Sequence, residues 1–174
     1  MNYPQNHSYV PNNDNRETAS NKPEVKREYH WDTTPNVLSL IEEAISLERE
    51  KKEFYDYIIS LAPAEEDRRI LMSIREAEME HIELFKRMYA ELSGQVPGAL
   101  RQWNHTRPRS YCEALKNGLF SLLEAVENHQ EIMWALEDRR YTKLVNDIII
   151  DELRDAHLFN FLFAKNACYR EYGY

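Results

Sequence analysis

Two short motifs contain the residue types that bind divalent metal ions. Glu78 and His81 are three residues apart, and Glu152 and Asp155 repeat that spacing 74 residues further along the chain. Residues three apart in an α-helix lie on the same face, so each pair would present two ligand groups in one direction. Carboxylate and imidazole groups are ligands that iron, manganese and zinc all accept. Glu48, on an earlier segment, would supply a further carboxylate, and the sequence predicts a metal site from these five residues.

The segments that must position these residues are predicted to be four long helices. Thr34 followed by Pro35 is typical of a helix start, because a hydroxyl can cap the first turn and proline fits the first helical position. Pro63 interrupts the first helical pattern, and Gly94 is a suitable C-terminal cap for the second. The predicted helices cover about 35–61, 65–92, 110–137 and 141–167.

The lengths of the connections predict how the helices are arranged. Short turns join the first helix to the second and the third to the fourth, which favours two antiparallel hairpins. The segment 94–109 has 16 residues and could span about 53 Å when extended. A helix of 28 residues, such as 65–92, is only about 42 Å long. We therefore predict an all-α, ferritin-like four-helix bundle, in which two antiparallel helix hairpins are joined by a long crossover.

Each predicted helix carries an apolar stripe with polar residues near its middle. Steps of three and four residues along the first helix give the stripe Leu38, Ile41, Ile45, Glu48, Lys52, Tyr55 and Ile59. Facing residues of an antiparallel hairpin are equidistant from the turn, so Glu48 would lie level with Glu78 and His81. The polar residues would form one belt at mid-height, and acidic side chains are almost never buried without partners.

Two interpretations of this belt remain open. In the first, Glu48, Glu78, His81 and Glu152 hold at most one divalent ion, with Asp155 as a substitute ligand. One divalent ion, the ammonium of Lys52 and one proton would balance the four carboxylates. In the second, the belt is a metal-free network of buried ion pairs. The predicted pairs are Lys52–Glu48, His81–Glu152 and His129–Asp155.

This set of motifs resembles the ferritin-like superfamily, and in particular its rubrerythrin-like branch. The resemblance extends over about residues 35–165 and rests on Glu48 with Tyr55, Glu78-Met79-Glu80-His81 and Asp151-Glu152-Leu153-Arg154. It implies redox chemistry with oxygen or peroxide, supported by an external reductant because the chain has no Cys-x-x-Cys pair. Two ligand positions of the family fall on Leu122 and Asp155. The resemblance therefore implies a centre with fewer ligands than is usual in the family. This centre would hold one divalent ion, iron or manganese ahead of zinc, or none.

The resemblance also implies a non-catalytic alternative, since coat-associated ferritin-like proteins occur in spore-forming bacteria. Residues 1–33, with six asparagines, are predicted to be a mobile polar tail that could contact a protein partner. The bundle would cover 34–168, and a short C-terminal tail 169–174. We expect a homodimer, because two-fold dimers are the commonest closed assembly.

Composition and charge exclude several other classes of protein. Hydrophobic residues make up 43% of the chain and charged residues 30%, with only 4 glycines, which favours long helices. A net charge of -8 argues against nucleic-acid binding, and no apolar run reaches the ~18 residues of a membrane span. We expect a cytoplasmic protein, or a spore-associated one under the non-catalytic alternative. In the cytoplasm, Cys112 and Cys168 are expected to be free thiols.

Overall fold

The computed structural model describes residues 36–97 and 107–173, without the side chains of residues 48–50. Four α-helices and a short 3-10 helix account for all regular secondary structure in these ranges: α1 (Val37–Leu61), α2 (Glu65–Ser93), α3 (Tyr111–Ala135), α4 (Arg139–Lys165) and the 3-10 helix Cys168–Tyr172. The all-α class is thereby confirmed. The predicted tail 1–33 and the predicted helix start at Thr34-Pro35 lie outside the described residues.

Side-chain caps and one glycine define the helix ends. The Asn36 side chain accepts a hydrogen bond from the backbone N–H two residues later, and the Ser110 hydroxyl accepts one from the N–H three residues later. α2 ends at Gly94, whose φ of 70° is the left-handed conformation that favours glycine. Asp138 caps α4, which therefore begins at the start of the turn predicted near residues 138–141.

Contacts at one end of the bundle fix the directions of the helices. The Tyr57 hydroxyl near the end of α1 donates to the carbonyl of Pro108, just before α3. Asp67 at the start of α2 accepts a hydrogen bond from the Tyr111 hydroxyl at the start of α3, and pairs with Lys165 at the end of α4. α2 and α3 therefore begin at the same end and run parallel, while the helices of each hairpin are antiparallel.

The helix packing agrees with these directions. α1 packs mainly on α2 and α3, and α4 packs mainly on α3 and α2. A bundle with only short connections would make α2 and α3 antiparallel, which the contacts exclude. The end of α2 and the start of α3 therefore lie at opposite ends of the bundle. No helix within the described ranges is long and apolar enough to cross a lipid bilayer.

Two apolar clusters fill the core on either side of a polar layer. The cluster at the end where α1 begins includes Ile41, Ile45, Phe85, Met88, Val145 and Ile148. The cluster at the opposite end includes Ile58, Leu71, Ile74, Leu115, Phe159 and Leu162. The buried charged residues between them include Lys51, Glu78, His81, Glu152 and Asp155. The predicted polar belt with apolar packing above and below it is confirmed for the residues of α2 and α4, Glu78, His81, Glu152 and Asp155.

The predicted inward stripe of α1 is wrong by one residue in its second half. Lys51 is buried at 8% exposure, whereas the side chain of Lys52 is 56% exposed and pairs with Asp56. Ile58 is fully buried and Ile59 only partly so. Tyr55 is on the buried face, and the next buried position towards the N-terminus is four residues back rather than three. Since 3.6 residues make one turn, both steps are compatible with a helix, and packing selects Lys51.

α3 and α4 approach each other closely at Gly118. A Cβ atom at this position would lie 2.3 Å from Cε1 of Phe159, far inside van der Waals contact. The ring of Phe159 is itself fully buried. Glycine is therefore required here by the space that the aromatic ring occupies.

The expectation of two free thiols is wrong, because Cys112 and Cys168 form a disulfide. Cys112 lies in the first turn of α3, and the axes of neighbouring helices are normally about 8–10 Å apart, which is too far for a disulfide without favourable side-chain directions. Cys168 instead follows the end of α4, after Ala167 adopts a left-handed φ of 52° that turns the chain back. The Cα atoms of the two cysteines are consequently only 5.2 Å apart, which a disulfide can bridge.

Candidate metal centre

Three buried side chains converge in the polar layer. Glu78, His81 and Glu152 each offer a ligand atom, and these atoms all lie within 4.8 Å of one another. α2 supplies Glu78 and His81 from adjacent turns of one face, and α4 supplies Glu152 from the facing helix. The exposed fractions are 0%, 3% and 0%. The structure therefore brings together three of the five residues that the sequence predicted as ligands.

A lysine from α1 lies between the two glutamates. Nζ of Lys51 is 3.0 Å from Oε2 of Glu78 and 3.6 Å from Oε2 of Glu152. The sequence predicted an internal ammonium group but assigned it to Lys52, which is at the surface. Helical steps of three or four residues can place either of the adjacent lysines on the buried face, and the predicted stripe contained the wrong one.

His81 makes one of the predicted ion pairs. Its Nδ1 atom lies 3.3 Å from Oε1 of Glu152, and its Nε2 atom lies 3.8 Å from Oδ2 of Asp151. Burial lowers the pKa of His81, but the hydrogen bond to Glu152 and the charges of Glu78 and Glu152 outweigh it, so the pKa is raised above its ordinary value. Without a metal, the site favours the protonated imidazole.

Asp155 lies outside the group of three converging ligands. Its carboxylate is 1% exposed, and Oδ1 accepts a hydrogen bond of 3.1 Å from Nε of Arg154. Oδ2 is buried without a hydrogen-bond partner. Burial raises the pKa of Asp155 to about 6, against the opposing effect of Arg154. Its role as a substitute ligand stays a prediction.

His129 is buried on α3 with its ring against Phe85, at a centroid distance of 4.9 Å. Burial, with a smaller effect of the Lys51 charge, lowers the pKa of His129 to about 3. The imidazole is therefore neutral near pH 7. The predicted His129–Asp155 pair is wrong, because Oδ1 of Asp155 accepts from Arg154 and Oδ2 has no hydrogen-bond partner among the described residues.

Tyr55 and Leu122 behave as their residue types suggest. The Tyr55 hydroxyl is 3.5 Å from Oε1 of Glu78, and its ring packs edge-on to Phe159 with centroids 6.1 Å apart. Leu122 is buried in the apolar cluster near Phe159, and its side chain has no ligand atom to offer. The backbone of Glu48 lies in α1, but its side chain is outside the description, so its contribution stays a prediction.

The donor set fits a divalent ion. One nitrogen and carboxylate oxygens from two residues are a mixed set that iron, manganese and zinc accept. Oε2 of Glu152 is buried without a hydrogen bond, so a ligand atom in the layer has no directional partner. Lys51 and a protonated His81 also balance the two glutamates by charge. The three ligand residues are thus chemically suited to an ion, and the charges of the two glutamates are also balanced without one.

One further buried carboxylate, away from the polar layer, was missed from the sequence. Asp67 is fully buried, pairs with Lys165 and accepts hydrogen bonds from Asn166 Nδ2 at 2.8 Å and the Tyr111 hydroxyl at 3.3 Å. The spacing already contained a signal, because Asp67 continues the inward stripe of α2 one step before Leu71. With its oxygens occupied by these donors, this carboxylate joins helix ends rather than forming an open ligand site.

Comparisons of this chain with protein-family models, with curated proteins and with solved structures give no match.

Proposed function

We propose that this protein binds a single divalent metal ion inside a ferritin-like bundle. The observation that carries the proposal is the convergence of Glu78, His81 and Glu152, all buried, with ligand atoms within 4.8 Å of one another. Burying two carboxylates and an imidazole together is costly unless a cation or a proton compensates them. A metal ion would use all three groups at once.

The ferritin-like assignment is supported by the order of the helices and by the ligand pattern. Parallel α2 and α3, each within an antiparallel hairpin, are what a long crossover between the hairpins requires. Glu78 and His81 have the Glu-x-x-His spacing of ferritin-like ligands, and Glu48 would complete the set from α1. Iron or manganese is the proposed ion, with zinc as the third candidate.

The proposed chemistry is redox chemistry with oxygen or peroxide, supported by an external reductant. A bound redox-active ion would supply electron transfer. Glu78, His81 and Glu152 would hold the ion, and Tyr55 would orient the Glu78 carboxylate through its hydroxyl. Turnover of hydrogen peroxide with a chemical reductant tests this part separately from metal binding.

Metal analysis of protein purified without chelator tests the binding proposal. We expect one tightly held ion per chain in the wild type. In Glu78→Gln, the metal affinity should fall by more than the ~10–100-fold that is typical when a residue outside the ligand shell is changed. Glu80→Gln is the matched control, because Glu80 lies on the same helix but is exposed. Equal metal content in the two variants, or two tightly held ions in the wild type, would contradict the proposal.

A structural or interaction protein is the second candidate, favoured by the internal charge balance. Lys51 bridges both glutamates and His81 pairs with Glu152, so the layer is compensated by the chain's own cations. Absence of metal from the wild type after incubation with iron, manganese and zinc would favour this candidate. The homodimer, the tail-mediated partner and the cytoplasmic or spore-associated location stay predictions.

A further inference from the structure

Lys51 divides the oxygens of the two central glutamates into two sets. Oε2 of Glu78 and Oε2 of Glu152 both face its ammonium group, at 3.0 and 3.6 Å. The other oxygens point elsewhere: Oε1 of Glu78 faces the Tyr55 hydroxyl at 3.5 Å, and Oε1 of Glu152 faces His81 at 3.3 Å. One cation, the ammonium, is thus held by one oxygen from each of two helices.

This geometry is the one that a bridging cation adopts. A lysine ammonium is a compact point charge that can donate to several oxygens, so it can take the place of an ion between two carboxylates. Lys51 is only 8% exposed and comes from a third helix, α1, whose backbone holds its side chain opposite the α2 and α4 ligands. A second cation would have to approach the same two Oε2 atoms and would be repelled.

We propose that the ammonium of Lys51 occupies one cation position of the centre and so limits its capacity for metal ions by one. This inference rests on the proposed function for its setting, but it concerns a residue that is not itself a metal ligand. Removing the ammonium should vacate the cation position that is in contact with Oε2 of Glu78 and Oε2 of Glu152, and a divalent ion should fill that place.

The test compares Lys51→Met with Lys52→Met. The two variants remove the same side-chain charge from adjacent residues, one buried between the glutamates and one exposed beside Asp56. Each protein is incubated with Mn²⁺ and, separately, with Zn²⁺, desalted and analysed for ions per chain. We expect Lys51→Met to hold one more ion than the wild type, and Lys52→Met to match the wild type. The same metal content in all three proteins would overturn the inference.

Thermal unfolding gives a second readout that does not depend on activity. Without metal, Lys51→Met should unfold at a lower temperature than Lys52→Met, because two buried carboxylates lose their counter-charge. Added Mn²⁺ should raise the midpoint of Lys51→Met more than that of the wild type. An equal or smaller rise would overturn the inference. If Lys51→Met does not fold, Lys51→Gln, which keeps a hydrogen-bond donor without the charge, is measured in the same way.

The outcomes separate this inference from the proposed function. One ion in the wild type and two in Lys51→Met support both. One ion in each leaves the proposed function standing and overturns the role of Lys51. No ion in the wild type but one in Lys51→Met overturns the proposed function and supports the inference, since the lysine then fills the position that an ion would take. No ion in either protein overturns both.

Discussion

Nε of Arg154 donates a hydrogen bond of 3.1 Å to Oδ1 of Asp155, joining a guanidinium that is 57% exposed to a carboxylate that is 1% exposed. The bond satisfies one oxygen of Asp155 and leaves Oδ2 buried without a hydrogen-bond partner. Burial outweighs the arginine, and the pKa of Asp155 is raised to about 6. The ionised carboxylate is therefore a source of instability near pH 7.

Asp155→Asn is expected to stabilise the protein near pH 7.5, by about 1–3 kcal/mol, because it removes a buried charge. Between about pH 4 and 6, Asp155 is protonated in the folded protein but ionised in the unfolded chain. The free energy of unfolding of the wild type should therefore rise, through this group, as the pH falls across that range. Asp155→Asn lacks this contribution, so its advantage should shrink at pH 4.5.

Urea unfolding at pH 7.5 and 4.5, in the presence of chelator, measures this difference. Asp151→Asn is the control, because Asp151 lies one turn earlier on α4, contacts the same arginine and is 41% exposed. An advantage of Asp155→Asn that is equal at the two pH values would show that the carboxylate does not titrate in the folded protein as stated.

His129 is expected to make the protein sensitive to acid. Burial lowers the pKa of the His129 imidazole to about 3, so this group stays neutral in the folded protein. In the unfolded chain it gains a proton near pH 6.5. Through this group, the free energy of unfolding should fall as the pH drops below 6.5, with a slope that approaches about 1.4 kcal/mol per pH unit. Between pH 6.5 and 5 the loss is about 2 kcal/mol.

His129→Gln should remove this slope, whatever the loss of ring packing against Phe85 costs at neutral pH. The measurement is the change in unfolding free energy from pH 6.5 to 5, compared with His157→Gln. His157 is exposed on α4, so its replacement should leave the slope of the wild type. A fall in the free energy of unfolding from pH 6.5 to 5 that is as large in His129→Gln as in the wild type would exclude His129 as its source.

The buried residues of α2 and α4 were predictable because only one face of each helix can be buried. Glu78, His81, Glu152 and Asp155 fall on the inner face under any combination of three- and four-residue steps that also buries the neighbouring aliphatic residues. For α1, two buried stripes were possible, since Lys51 and Lys52 are adjacent and both Ile58 and Ile59 are apolar. Only the packing of α1 against α2 and α3 distinguishes them, and that packing is tertiary information.

The disulfide was not predictable from helical spacing, because it depends on how the chain leaves α4. Cys168 lies beyond the last turn, and the left-handed Ala167 decides where it points. An alanine in that conformation has no sequence signature comparable to glycine. The Asp67 cluster, in contrast, could have been found, since Asp67 continues the stripe of Leu71 and Lys165 lies at the matching level of α4.

Gly118→Ala is expected to destabilise the protein by about 1–3 kcal/mol, because the added methyl group would overlap the ring of Phe159. The direction is informative, since glycine to alanine in a helix otherwise stabilises by about 1 kcal/mol. Phe159→Leu removes the ring edge, so the double variant should be more stable than the sum of the two single changes predicts. Thermal unfolding of the four proteins checks this, and simple additivity would contradict the contact.

The disulfide should contribute about 4 kcal/mol to the free energy of unfolding, because it closes a loop between residues separated by 56 positions. Cys112→Ser with Cys168→Ser is expected to lower stability by that order, and a reductant should lower the wild type to a similar value. The double variant itself should not respond to reductant, which makes it the control. A wild type unaffected by full reduction would contradict the entropic contribution.

Alkylation of thiols immediately after cell lysis tests the predicted location. A cytoplasmic protein is expected to keep both thiols reduced, so a pair that is already oxidised would contradict the predicted cytoplasmic location.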